Sequence, residues 1–193
     1  MHVTQLNRQA FWYLRHGETD WNAQNLSQGQ VEVPLNATGI AQAHAAAEAL
    51  VGLGIRSIVA SPLGRAQVTA QVVAEKLGLT VETEPDLQEV SFGDQEGKPP
   101  APWFDQWVLG EMTPTGGESF AALRLRAAAA VNRALTRQAP VLVVAHGALF
   151  RALRAEMGLP ATVRTANAAP LYCVPGDPWT VTSLIGSGEI PNF

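Results

Sequence analysis

Three short stretches of this sequence hold residues that can act on an anion. Arg15-His16-Gly17-Glu18-Thr19 is the first, Ser61-Pro62-Leu63-Gly64-Arg65-Ala66 the second, and His146-Gly147 the third. The supply is scarce: four histidines and 13 lysines plus arginines in 193 residues. Arginine offers a rigid fork of donors that suits a phosphate. A neutral histidine can attack phosphorus, and a protonated one adds positive charge to the same site. Two arginines and two histidines together therefore fit a phosphoryl group. Zinc is the competing use of two histidines, but it wants a third ligand such as Asp or Glu and is repelled by arginines. No metal and no cofactor are expected. Each piece alone has a plainer reading, Arg-His-Gly as a strand-end turn and Arg65 as a solvated cation. A cation in a helix's first turn is mildly unfavourable, a conflict of the kind functional sites show. His2 and His44 sit in no such pattern.

The elements that must position these residues are legible. Phe11-Trp12-Tyr13-Leu14 reads as a buried strand running into Arg15-His16-Gly17, and Val141–Ala145 as another running into His146-Gly147. Ser57–Ala60 is a third strand, Val81–Glu84 an edge strand, and Leu171–Val174 and Thr180–Ser183 are late strands. Helices are expected over 38–50, 61–77, 119–137 and from His146 to Met157. Ser61 would cap the second of these, with Pro62 in its first position. Residues 22–36 read as a loop. Residues 86–117 are too long for an ordinary connection, so they are functional or hold a short helix. Strands alternating with helices predict α/β architecture with a mostly parallel central sheet. Ligands of such sheets bind beyond the carboxyl ends of the strands, so the two His-Gly pairs are expected side by side.

In chain order, these motifs resemble the histidine phosphatase superfamily, the phosphoglycerate mutase-like enzymes, over most of the chain from Arg15 to Asn167. Arg15-His16-Gly17-Glu18-Thr19 with Asn22 is similar to the family's opening motif. Gln28-Gly29-Gln30-Val31-Glu32-Val33-Pro34-Leu35 matches a stretch that usually has Asp at the position of Glu32. Ser61-Pro62 with Arg65-Ala66 matches the second motif. Leu87-Gln88-Glu89 with Phe92-Gly93-Asp94 and Glu96-Gly97 matches the third. Gly116-Gly117-Glu118-Ser119 and Val144-Ala145-His146-Gly147 match the rest. The resemblance implies a three-layer α/β/α sandwich forming one domain over 1–193, with a small cap-like segment around 86–117.

It also implies roles. His16 would form a phosphohistidine, and Arg15, Arg65 and His146 would bind the phosphate. Glu89 would protonate the leaving alkoxide and then activate water. Asn22, Gln28, Gly29, Glu18, Thr19 and Asn167 would contact substrate; Glu18 is also the main rival to Glu89 as the proton donor, or could instead be structural. An alkyl phosphate leaves badly without a proton, which supports a carboxyl that serves as acid and then base. His16 must be neutral to attack, whereas His146 is most useful charged. Like-charge repulsion pushes both toward neutrality, and Glu18 or a bound phosphate dianion could restore charge on His146.

Within the family, a phosphatase is favoured over a mutase. The segment between Glu96-Gly97 and Gly116-Gly117 is short, and Val90-Ser91 follow Glu89 where mutases have Arg and Tyr that hold phosphoglycerate. The string from Glu89 to Gly97 resembles the α-ribazole and broad-specificity phosphatase branch, which often has Trp at the position of Gln95. The expected function is phosphomonoester hydrolysis of a small phosphorylated metabolite. A mutase-type phosphotransferase and a catalytically silent phospho-ligand binder are the alternatives. Trp103, Phe104 and Trp107 either line the pocket or form a local apolar cluster.

Composition excludes other classes. Hydrophobic residues make up 47% and charged ones 16%, which is incompatible with disorder. The lone Cys173 precludes a disulfide framework. A net charge of −4 gives no electrostatic footprint for nucleic acid or an anionic membrane, so neither is an expected partner. Any attraction for an anionic substrate must then be local, built from Arg15, Arg65, His146 and a helix N-terminus. The stretch Met1–Gln9 lacks the apolar core of a signal peptide, and a cytoplasmic location is expected. A homodimer is the default oligomer.

Overall fold

The computed structural model describes residues 5–186 and the short strand at 189–190; His2 and the rest of the first four residues lie outside the described residues. The apolar runs become strands as their burial demands. In chain order the elements are β1 (Phe11–Arg15), α1 (Asp20–Ala23), α2 (Ala37–Leu50), β2 (Ser57–Ala60), α3 (Gly64–Leu77) and β3 (Val81–Thr83). There follow α4 (Trp103–Leu109), α5 (Phe120–Ala134), β4 (Val141–Ala145), α6 (Gly147–Glu156), β5 (Arg164–Thr165), β6 (Leu171–Val174), β7 (Thr180–Ser183) and β8 (Glu189–Ile190).

Six strands form one sheet in the order β3-β2-β4-β1-β6-β7. The first four are mutually parallel, and β6 and β7 join antiparallel. Successive side chains of a strand point to opposite faces. Phe11, Tyr13, Val141 and Val143 therefore pack on one side with Trp107, Leu123, Val131, Leu149 and Phe150 from α4, α5 and α6. Trp12, Leu14, Leu142 and Val144 pack on the other with Ala46, Leu50, Ala70 and Val73 from α2 and α3. The result is the expected α/β/α sandwich with a mostly parallel sheet. β5 and β8 make a separate two-stranded ladder that sequence reading did not anticipate. No helix among the described residues is long and apolar enough to cross a membrane.

One helix start differs from expectation. Ser61 does not cap α3, and Pro62 is not in its first turn; the helix begins at Gly64 after Leu63. The reason is that the Ser61 N–H still donates to the Val144 carbonyl (3.0 Å), which prolongs the sheet by one residue. The orphan N–H of Gly64 is satisfied instead by the Glu32 carboxylate, at 3.1 and 3.3 Å from its two oxygens.

The segment 86–117 does hold a short helix, α4. Its two ends are pressed together at Gly93 and Gly117. A Cβ at Gly93 would overlap the Thr115 carbonyl, and one at Gly117 would crowd the Ser91 carbonyl.

Candidate active site

β1 and β4 are parallel neighbours with Arg15 opposite Ala145, so His16 and His146 leave one sheet edge together. The His16 N–H donates to the Ala145 carbonyl (3.0 Å), and the two imidazole rings lie 5.3 Å apart between centroids. Here a cavity of about 200 Å³ opens, with Arg15, His16, Arg65, Glu89, Arg151 and Arg164 among its lining. Gly17 lets the turn after β1 sit directly on α2, because a Cβ there would overlap the Gly39 carbonyl.

His16 is buried, and its Nδ1 lies 2.7 Å from the Gly17 carbonyl oxygen. A carbonyl can only accept, so Nδ1 carries the proton and Nε2 presents a lone pair. Burial first, then the charges of Arg65 and Arg15, hold the His16 pKa well below the usual histidine value. The imidazole is therefore neutral near pH 7, as attack requires.

His146 is wholly buried and does not line the cavity itself. Its Nε2 lies 2.6 Å from the Ser61 hydroxyl, which also accepts from the Leu63 N–H (3.3 Å). Among the described residues Nε2 is the one acceptor within reach of the Ser61 hydroxyl proton, so the hydroxyl donates to Nε2. The imidazole proton then sits on Nδ1. Burial, then Arg65, His16 and Arg15, push the His146 pKa well below its usual value. The expected charge on His146 is thus not held by the protein, and Glu18 does not supply it. Glu18 instead accepts from the Asn36 amide (3.0 Å).

Arg15 and Arg65 are fixed by backbone carbonyls. Arg15 Nη1 donates to Thr165 (2.6 Å), and Arg65 donates through Nη1 to Val31 (2.8 Å) and through Nη2 to Gly29 (2.7 Å). Burial lowers both pKa values, that of Arg15 to about 10 with help from Arg164, which leaves them charged at neutral pH. Among the described residues, the buried side-chain polar atoms without a hydrogen-bond partner are Arg15 Nε, Arg65 Nε, His146 Nδ1 and Ser27 Oγ. Arg15, Arg65 and Ser27 line this cavity, and His146 lies beside it against His16. Buried donors are normally paired, so this concentration marks a site for an acceptor-rich group.

Glu89 lines the cavity and docks on the N-terminus of α6. Its Oε1 accepts from Leu149 (2.9 Å) and from its own neighbour Val90 (3.0 Å), and among the described residues its Oε2 accepts from Ala148 alone (2.9 Å). Oε2 thus retains a lone pair for a proton. Part of each helix N-terminus expected to attract the anion is already occupied. The first-turn N–H groups of Gly64, Ala148 and Leu149 already bind the carboxylates of Glu32 and Glu89.

The remaining expected residues divide. Asn22, Gln28 and Gly29 line the cavity. Glu18, Thr19 and Asn167 do not. Thr19 is the N-cap of α1, and its hydroxyl donates to Gln28 Oε1 (3.0 Å). The Asn167 amide donates to the His16 carbonyl (3.0 Å) and to Asn22 Oδ1 (3.1 Å), so it braces the residues that face the cavity. Of the aromatic trio, only Phe104 lines the cavity, while Trp103 and Trp107 are packed into the core. Phe104 lies under the Arg151 guanidinium, 4.8 Å from ring centroid to Cζ.

Arg151 and Arg164 also line the cavity, although neither belongs to one of the sequence motifs. Burial, then Arg164, lowers the Arg151 pKa to about 10. Arg151 stands four residues beyond Gly147 on α6, hence on the same face. That spacing was the available signal; Arg164, on a two-residue strand, offered none. Among the described residues the lining carries four arginines, Arg15, Arg65, Arg151 and Arg164, against two carboxylates, Glu89 and Asp105. A chain of net charge −4 thus holds a locally positive cavity.

Fold and cavity together describe an α/β enzyme with paired histidines at the carboxyl edge of its sheet. Residues 11–167 match the profile of the histidine phosphatase superfamily (branch 1), and the chain belongs to that family. It is 40% identical over 163 residues to a probable phosphoglycerate mutase of Yersinia pestis, covering 78% of this chain and 75% of that protein. Among solved structures, a mycobacterial glucosyl-3-phosphoglycerate phosphatase superposes with a TM-score of 0.79 at 31% identity, covering 89% of this chain and 96% of the other. A putative α-ribazole-5′-phosphate phosphatase from Escherichia coli superposes at 0.78 with 28% identity, covering 96% and 100%.

Proposed function

We propose that the protein hydrolyses a small phosphomonoester through a phosphohistidine on His16. The observation that carries this reading is the group of unpartnered buried donors on Arg15, Arg65 and His146 beside a neutral His16 whose Nε2 holds a lone pair. His16 Nε2 attacks phosphorus and the ester P–O bond breaks. Arg15 Nε, Arg65 Nε and His146 Nδ1 donate to the non-bridging oxygens. Preorganised donors of this kind supply most of the barrier reduction that so slow a reaction needs. Glu89 enters this step as the neutral carboxylic acid, and its Oε2 gives the proton to the departing alkoxide. The same oxygen then takes a proton from water as the water attacks the phosphohistidine. Phosphate leaves, and both His16 and Glu89 return to their starting states.

The mutase reading has one observation in its favour, the printed name of the 40% identical Yersinia relative. Against it, Val90 is fully buried in the core, and the Ser91 carbonyl is occupied by the Glu118 N–H (2.8 Å). The Arg and Tyr that hold phosphoglycerate in mutases are absent from these two positions, which carry Val90 and Ser91. The test is phosphate release over phosphoglycerates, sugar phosphates, nucleotides, phosphoserine and α-ribazole phosphate. At least one alkyl phosphate is expected to be hydrolysed, with loss of that turnover in His16→Ala. Interconversion of phosphoglycerates faster than phosphate release would shift the assignment to a mutase.

A further inference from the structure

We infer that Arg126, oriented by Glu118, is a positioning residue that sets the direction of the Glu89 carboxyl; this rests on Glu89 being the proton donor proposed above. Arg126 lies on α5 and lines no part of the cavity. One guanidinium makes four hydrogen bonds. Nη1 donates to the carbonyls of Asp86 (2.7 Å) and Gln88 (2.8 Å). Nε and Nη2 form a fork on Glu118, at 2.9 Å to Oε1 and 2.6 Å to Oε2. The Glu118 N–H in turn donates to the Ser91 carbonyl (2.8 Å). Glu89 is therefore held on both sides: at Gln88 immediately before it by the Arg126 guanidinium, and at Ser91 two residues on by the backbone N–H of Glu118, whose side chain is paired with Arg126.

The grip is stiff. The two side chains are only 17% and 19% exposed, and the Trp107 indole N–H donates to the Glu118 carbonyl (2.9 Å). Gly93 and Gly117 allow the 91–93 and 115–117 backbones to touch, which brings Glu118 within reach of Ser91. Fixing the Gln88 carbonyl fixes the peptide plane that enters Glu89. A rotation there would swing the carboxyl off the Ala148 and Leu149 N–H groups and away from a leaving group. A displacement of about 1 Å is enough to lower a rate by about a hundredfold. Lysine cannot replace arginine here, because an ammonium cannot make the fork on Glu118 and reach two carbonyls at once.

The test uses leaving-group dependence, which a loss of packing does not alter. kcat/KM is measured for an aryl phosphate, p-nitrophenyl phosphate, and for the best alkyl phosphate of the panel. Four proteins are compared: wild type, Glu89→Gln, Arg126→Lys and Arg126→Gln. Melting temperatures are recorded for each. Phosphoryl transfer from an aryl ester needs little help from an acid, so misplacing Glu89 harms the alkyl ester selectively. Arg126→Lys is expected to lower kcat/KM at least tenfold more for the alkyl than the aryl ester, with most of the change in kcat. Glu89→Gln should show the same bias more strongly. Equal losses on the two esters in both Arg126 variants, or no loss in either, would overturn the inference while Glu89→Gln keeps its bias. If Glu89→Gln itself shows no bias, the proton-donor assignment fails and the inference falls with it. Arg126→Lys retains the charge and so keeps the test available if Arg126→Gln does not fold.

Discussion

Removing one hydroxyl, Ser61→Ala, probes the least visible part of the site. Ser61 Oγ lies 2.6 Å from His146 Nε2 and 3.3 Å from the Leu63 N–H. A neutral imidazole carries one proton, and the hydroxyl decides which nitrogen bears it. With Oγ present, Nε2 accepts and Nδ1 is the donor offered to the phosphoryl group. Without Oγ, Nε2 is left buried with nothing to accept from, and no hydrogen bond holds the proton on Nδ1. Leaving one buried group unsatisfied costs about 1–3 kcal/mol. If that energy appears in transition-state binding, kcat/KM falls by about 5- to 150-fold, since about 1.4 kcal/mol is a factor of ten. The same loss lowers the melting temperature by about 2–4 °C per kcal/mol in a chain of this size. The assay is kcat/KM on p-nitrophenyl phosphate beside a thermal melt. A variant that melts lower but keeps kcat/KM within twofold would refute the tautomer argument and leave Ser61 a packing residue.

Other expectations follow from the same geometry. The pKa values of His16 and His146 are both depressed, burial being the main cause. The unfolded chain therefore takes up protons below about pH 6.5 that the folded protein refuses, and stability falls by about 1.4 kcal/mol per pH unit for each histidine from there downward. Urea midpoints from pH 7.5 to 5 check this, and a midpoint that rises on acidification would contradict it. Activity should likewise keep its acid limb below pH 6.5, and a limb above that value in kcat/KM would contradict a neutral nucleophile set by burial. EDTA should leave turnover intact, because the described residues hold no cluster of three or more His, Cys, Asp or Glu and two arginines flank the histidines; a loss restored by zinc would revive a metal site. Phe104→Ala, which removes the ring beneath Arg151, should raise KM for the best alkyl substrate several-fold while inhibition by inorganic phosphate changes less. Equal change in both would place Phe104 in the fold rather than at the substrate.

Much of this architecture could be read from the chain because its apolar runs are short, continuous and each followed by a polar turn. β1 and β4 need no tertiary information to be recognised, and their His-Gly endings imply a shared edge. Ser61 misled because serine before proline is a good local signal for a helix start, and local signals lose to a sheet that needs one more hydrogen bond. Glu18, Thr19 and Asn167 lie close in sequence or space to residues that face the cavity, yet their side chains bond to Asn36, Gln28, His16 and Asn22. A motif reports that such residues are near a site and not which way they point. Arg164 was invisible because a two-residue strand has no periodicity. Glu118 and Arg126 were not linked, since the fork between them is set by how 86–117 folds back on α5.

A covalent phosphate on His16 can be trapped by a rapid quench during turnover. Wild type and Glu89→Gln are mixed with labelled p-nitrophenyl phosphate, denatured within the first turnovers, and the adduct is located by peptide mass spectrometry. An acid-labile, alkali-stable phosphate on His16 is expected, accumulating further in Glu89→Gln because the base for the second step is gone. Steady turnover with no protein-bound phosphate in either protein, or an adduct on Ser61 or His146 instead, would contradict the account.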